Sequence, residues 1–185
     1  MADIFMALVH HPVYNKNREV IVAALTTLDL HDLARLAATY GLAGFYLVTP
    51  LEDQLEVAED MIEHWCRGWG AGYNSTRAEA FALVRLGRSL EEVKAEVEAD
   101  CGLKPVVVGT SAKDGPGRFG FAGLAEYIKG PQPLILVFGT AWGLTQEVLG
   151  RCDLVLESIK GPTEYNHLSV RSAVGITLDR LLGRT

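Results

Sequence analysis

Six short apolar runs, most of them separated by a helical pattern, constrain the fold of this chain more than any other feature. They are Ile4–Val9, Gly44–Val48, Ala80–Leu86, Pro105–Gly109, Pro133–Phe138 and Asp153–Leu156. Most are hydrophobic at nearly every position, not at every second one. A strand with one wet face alternates, whereas a strand covered by helices on both faces does not. The intervening segments carry helix punctuation. Thr49-Pro50-Leu51-Glu52 has the form of a capping box with proline at the first helical position. Behind it, Leu51, Leu55, Ala58, Ile62 and Trp65 form one apolar stripe that Gly68 closes. Ser89-Leu90-Glu91-Glu92 is a second capping box, leading through Val93, Val97 and Cys101 to Gly102. Asp29 reads as the cap of a helix running to Tyr40 and stopped by Gly41, and a last helix over about Ser169–Leu182 buries Val170, Val174, Leu178 and Leu181. Glu19–Leu25 reads as an extra strand. The expectation is an α/β fold with a mostly parallel sheet and helices on both faces. With no repeat, low-complexity tract or linker, residues 1–185 are expected to form one domain.

Composition narrows the class. A chain of 185 residues, 49% hydrophobic, can bury a sufficient core without disulfides. Cys66, Cys101 and Cys152 lie far apart with no CxxC, which suits reduced thiols. The longest N-terminal apolar run, Ile4–Val9, follows Asp3 and is too short for a signal peptide or membrane span. A cytoplasmic protein is expected. The net charge of −6 excludes a global basic field, so any RNA partner needs a local patch. His10-His11 and His64-Trp65-Cys66 lack two further ligands at supporting spacing, and no metal is expected.

Ligands of open α/β sheets bind beyond the carboxyl ends of the strands. That selects the loops after Val108, Phe138 and Leu156. The first, GTSAKDGPGRFG, satisfies GxGxxG at Gly115, Gly117 and Gly120, but about five residues separate the motif from the strand. Pro116 also removes an amide, and no acidic residue closes the next strand. A flexible loop is the better reading, leaving the Gly109-Thr110-Ser111 corner as a ligand contact. The second loop lies in LVFGTAWGLTQE. Either Trp142 folds back onto the core at a plain strand-to-helix turn, or Gly139–Leu144 wraps a flat ring with main-chain hydrogen bonds at its edge. The third, ESIKGPTEYNHLSVRSAVGI, has a Gly161-Pro162 breaker and a cap at Asn166 or Ser169. Ser169 and His167 lack the context of a nucleophile elbow.

Two segments taken together go further. LVFGTAWGLTQEVL and, about two dozen residues on, YNHLSVRSAVGI resemble the C-terminal signature of the SPOUT superfamily of RNA methyltransferases. TTLDLHDLARLAATYGLAGFYLVTP and GYNSTRAEAFALVRL extend the likeness over nearly the whole chain. It is nearest to a bacterial SPOUT-like, S-adenosylmethionine-dependent RNA methyltransferase domain that occurs alone or fused to tRNA (guanine) methyltransferases. The resemblance implies a C-terminal trefoil (alpha/beta) knot, S-adenosylmethionine as cofactor, a homodimer through the knot and a tRNA or rRNA nucleotide as methyl acceptor. It implies cofactor contacts from Thr110 and Ser111, from Gly139, Thr140, Trp142, Gly143 and Leu144, and from Ile159, Gly161, Leu168, Ser169 and Ala173. Related ribose methylators use an arginine on the first crossover helix, which makes Arg35 the catalytic candidate. The asparagine of that motif is absent, with Asp29 and Asp32 in its neighbourhood. Asn74, Arg77 and Arg171 are candidate RNA contacts. The alternative is a knotted dimer that binds the cofactor or RNA without catalysis.

Overall fold

A computed structural model describes residues 2–183. Its centre is β1 (Ile4–Val9), followed by a short hairpin of β2 (Val13–Tyr14) and β3 (Val20–Ile21). Then come α1 (Thr27–Thr39), β4 (Gly44–Val48), α2 (Glu52–Cys66), α3 (Trp69–Tyr73), α4 (Ser75–Phe81) and β5 (Val84–Gly87). The second half runs α5 (Leu90–Cys101), β6 (Val106–Gly109), α6 (Phe121–Tyr127), β7 (Leu134–Gly139), α7 (Gln146–Gly150), β8 (Leu154–Val155) and α8 (Val170–Leu182). Six strands form one sheet in the order β5-β4-β1-β7-β6-β8, and each neighbouring pair is parallel.

The unbroken apolar runs have the expected cause. In β1, Ile4, Met6 and Leu8 enter a core with residues of α1, α4, α6 and α8, while Phe5, Ala7 and Val9 enter a second core with residues of α5 and α7. Side chains of a strand alternate between faces, so burial of both faces requires apolar residues throughout.

Four local expectations need correction. Ala80 and Phe81 end α4, and the strand starts only at Val84. The Asn74 side chain caps that short helix by accepting from the Arg77 amide at 3.0 Å, a signal that the apolar run obscured. The cap of α1 is Thr26, not Asp29. Its hydroxyl accepts from the Asp29 amide and donates to Asp29 Oδ2 at 2.7 Å, a reciprocal box shifted by one turn. Thr49 belongs to the strand end, its amide donating to Gly87 O, so α2 starts at Glu52 without a side-chain cap. Of Glu19–Leu25, only Val20–Ile21 is strand. The Ser89 and Ser169 caps and the left-handed Gly102 stop lie where the sequence places them.

Candidate active site

The carboxyl ends of β6, β7 and β8 open into one cavity of about 840 Å³, within the range of small-molecule sites. Three loops and the start of α1 build it. The loop after β7 is the most constrained. A Cβ on Gly139 would lie 2.5 Å from the Leu144 amide nitrogen and 2.9 Å from the Gly143 carbonyl carbon, so only glycine lets the chain fold back this tightly. Gly143 has φ +92 and Ala141, unusually for a residue with a side chain, φ +51. The hairpin holds this loop from outside. Tyr14 donates its amide to Gly143 O at 3.0 Å and accepts from the Trp142 amide at 2.9 Å. Thr140 closes the other side, its amide and hydroxyl both reaching Val9 O.

Side-chain bonds tie the remaining loops together. Asn166 Nδ2 donates to Ala112 O at 2.7 Å, and Ser158 and Lys160 both bond the Asp114 carboxylate at 2.6 Å. These contacts hold that carboxyl below the usual range, with the Lys160 hydrogen bond the largest cause. Ser169 caps α8 through the Ser172 amide and lies on the cavity wall.

Of the residues taken from the SPOUT likeness, Thr110, Ser111, Gly139, Thr140, Trp142, Gly143, Leu144, Ile159, Leu168, Ser169 and Ala173 line this cavity, and Gly161 does not. Arg35 is exposed on α1 outside the lining. Asn74 is occupied as the α4 cap, and the Arg77 guanidinium lies 4.6 Å above the Trp65 ring. Arg171 donates to Asp29 Oδ1 at 2.8 Å and lies 3.2 Å from Asp32 Oδ2, so it joins α8 to α1 from outside the cavity. Trp142 does not fold back onto the core, as one reading of its loop expects. Its backbone makes a tight turn, and its indole stays 62% exposed at the cavity wall.

Other wall residues were not legible beforehand, among them Tyr14, Thr26, Asp29, Asn166 and Thr177. Thr26 and Asp29 carried a signal, a threonine followed three residues later by an acid. Tyr14 carried none, because its place depends on the hairpin folding onto a loop far away in sequence. His10, at the end of β1, is fully buried, and neither ring nitrogen has a hydrogen-bond partner among the described residues. Burial pushes its pKa below the usual value, against a smaller opposing pull from Asp29.

Residues 3–183 match the sequence model of a family described as SAM-dependent RNA methyltransferase. The chain belongs to that family. S-adenosylmethionine, expected from the loop motifs, is the cofactor on which the family depends. The chain is 42% identical over 181 residues to a tRNA (guanine-N(1)-)-methyltransferase of Oleidesulfovibrio alaskensis, and 43% identical over 184 residues to another of Nitratidesulfovibrio vulgaris. Each match covers 98% of this family member but 42% of the relative, so the chain spans less than half the length of these curated relatives. The fold is also that of the SpoU methyltransferase AviRb from Streptomyces viridochromogenes, solved in complex with AdoMet. The TM-score is 0.61 at 19% identity, over 98% of this chain and 58% of that one. At such identity the likeness concerns the fold alone, and it agrees with the mostly parallel α/β architecture expected from the sequence. No helix among the described residues is long and apolar enough to cross a membrane.

Proposed function

We propose that this chain transfers a methyl group from S-adenosylmethionine to a nucleotide of tRNA or rRNA. One observation carries the reading: the three strand-end loops selected from the sequence converge on a single cavity with a glycine-built wall. The residues fit the cofactor. Leu144, Leu149, Leu156, Ile159 and Leu168 offer apolar faces to an adenine ring, and the folded-back backbone at Gly139–Leu144 offers main-chain groups to its edge. Asp29, Glu157 and Glu164 bring carboxylates to a ligand that carries a sulfonium and an ammonium.

When bound, S-adenosylmethionine supplies an electrophilic methyl group. The work left to the chain is alignment of an incoming nucleophile, an effect that can reach ~7–11 kcal/mol. Loops pinned to one another by Asn166–Ala112 and to the hairpin by Tyr14 suit that task, because small displacements of the reacting atoms are costly. Asp29, fixed by Thr26 and Arg171 at the wall, is the best-placed carboxylate to take a proton if the accepting atom carries one. Arg35 lies six residues beyond Asp29 on α1, outside the wall, so its part in the reaction is to hold the RNA, in company with Asn74, the cap of α4, and Arg77 on that helix. Arg171 serves by fixing Asp29.

The same reading takes the chain as one SPOUT-like unit, cytoplasmic, knotted and dimeric. In support of the knot, the segment after β6 pairs in parallel with the end of β8 and the residues that follow it. Phe119 donates to Val155 O, Glu157 donates back to Phe119 O, and Asn166 reaches Ala112. In support of the dimer, Leu28, Trp142, Tyr165 and Leu168 are large exposed apolar side chains on or beside the wall-forming segments, a patch suited to a second copy.

A second reading, binding without catalysis, is favoured by one fact: Arg35 stands outside the cavity lining. Calorimetry with S-adenosylhomocysteine tests the cofactor claim, and absence of binding defeats it. Radiolabelled methyl transfer to total RNA separates the readings. Incorporation supports the enzyme, and cofactor binding with no labelled RNA fraction supports the binding protein.

A further inference from the structure

The helical excursion between β4 and β5 contains a feature that the cofactor cavity does not use. Trp69 and Tyr73, one turn apart on α3, stack with ring centroids 4.8 Å apart and planes 18° apart. They are nevertheless 73% and 71% exposed, so the pair serves no core. The platform is firmly seated. Gly70 is buried, and a Cβ there would lie 2.7 Å from the Trp65 ring and 2.9 Å from His64 O, so α3 rests directly on the end of α2. Seating that face turns the two rings outward.

Two arginines adjoin the platform. Arg67 immediately precedes the Gly68 that caps α3, and the Arg77 guanidinium covers the Trp65 ring against which Gly70 packs. Between α1 and this excursion lies His31, which meets Trp65 and Phe81 edge-on. Burial and then the Arg77 charge lower its pKa, against a smaller opposing pull from Asp32. Among the described residues, Arg67 and Arg77, like Arg18, Arg35, Arg118 and Arg180, join no salt bridge, so both guanidiniums carry no carboxylate partner. Glu63 and Glu79 share the neighbourhood without pairing to them. In a chain of net charge −6, Arg67 and Arg77 bring positive charge to the segment that carries two bare aromatic rings.

We infer that Trp69 and Tyr73, with Arg67 just before them and Arg77 on the adjoining Trp65 ring, form a stacking platform for unpaired nucleotides of the RNA substrate. The inference rests on the reading of the chain as an RNA methyltransferase and adds where the strand docks. Aromatic faces stack on any base, and guanidiniums neutralise the neighbouring phosphates. A duplex, whose bases are already stacked, offers nothing to such a pair. Helix α1 touches both regions: Thr26 and Asp29 line the cavity, and His31 meets Trp65 and Phe81 of the excursion.

The test titrates the full chain with a fluorescein-labelled single-stranded oligouridylate and with an RNA duplex of equal length. S-adenosylhomocysteine calorimetry and sedimentation are run on the same preparations. The Trp69→Ala/Tyr73→Ala variant is expected to bind the single strand at least about tenfold more weakly, with cofactor affinity and sedimentation unchanged. Trp69→Phe/Tyr73→Phe is expected to keep most of the affinity, and Arg67→Gln to flatten the log–log salt dependence by roughly 0.7. Unchanged RNA affinity in the double-alanine variant overturns the proposal, as does a preference of the parent for the duplex. A change in sedimentation with RNA affinity retained also overturns it, by making the pair a contact between copies. A parent that binds S-adenosylhomocysteine but no RNA defeats the platform alone, and the converse result defeats the cofactor reading alone.

Discussion

Arg171 on α8 donates Nη1 to Asp29 Oδ1 at 2.8 Å, tying the helix that follows the last cavity loop to the helix that follows the hairpin. The Asp29 side chain is only 10% exposed, whereas Arg171 is 34% exposed. Removing the arginine leaves a carboxylate buried without its partner, and the loss exceeds what the visible contact alone would suggest. Arg171→Met is expected to lower unfolding free energy by about 1–3 kcal/mol in urea titration, after allowance for the solvent around the guanidinium. Asp32→Asn, at the more exposed end of the same fork, is expected to cost under about 1 kcal/mol. Equal losses from the two variants would refute this assignment.

The glycines of the β7–α7 loop separate close approach from backbone strain. Gly139→Ala drives a Cβ into backbone atoms of Gly143 and Leu144, so the wall must move. Affinity for S-adenosylhomocysteine is expected to fall at least tenfold, with about 1–3 kcal/mol of stability lost. Gly143→Ala has open space around it and meets only the penalty of φ +92, about 1–2 kcal/mol. Gly150→Ala, with nothing near its Cβ, is the control and is expected to bind as the parent does. Calorimetry of the three variants ranks them.

Trp142 distinguishes ligand contact from core packing. An indole 62% exposed contributes little to folding, so Trp142→Ala is expected to change unfolding free energy by less than about 1 kcal/mol. Because the ring stands at the cavity wall, cofactor affinity is expected to fall about five- to tenfold. Stability loss without affinity loss would return the residue to a structural role.

His10 ties stability to pH. Burial lowers its pKa below the ordinary 6.5, so the folded chain holds the neutral ring where the unfolded chain is already protonated. The unfolded state therefore binds more protons between the lowered value and 6.5, and stability falls as pH drops through that window. Above 6.5 the contribution is complete. The slope cannot exceed about 1.4 kcal/mol per pH unit for one group. His31, lowered first by burial and then by Arg77, adds in the same direction. His10→Gln is expected to flatten the slope of unfolding free energy against pH below 6.5, measured by denaturant titration. An unaltered slope would assign the effect to His31 or to other groups.

Much of the site was written locally. The Gly139–Leu144 wall, the Thr110-Ser111 corner and the Ser169 cap are each a few adjacent residues whose chemistry acts on their own backbone. Most residues placed at the cavity from the SPOUT likeness therefore lie on its wall. Errors arose where one short pattern had two solutions. Ala80–Leu86 is apolar enough for a strand, yet the Asn74 cap recruits its first two residues into a helix. Thr26 and Asp29 both suit a cap, and only the reciprocal bond between their side chains decides which one begins α1.

The sequence by itself determined the buried parallel sheet, because a strand covered on both faces must be apolar at every position, and that requirement is local. It also determined which strand ends could receive a ligand, because glycine at a sharp turn acts through its own φ and its own missing Cβ. Tertiary structure alone decided that Tyr14 braces the Trp142 loop, that Arg171 serves Asp29 in place of lining the cavity, and that His31 meets Trp65 and Phe81 of the excursion bearing Trp69 and Tyr73. Each of those relations joins residues brought together by crossovers of a parallel sheet. Their partners are set by strand order and helix packing, which no short stretch of sequence encodes.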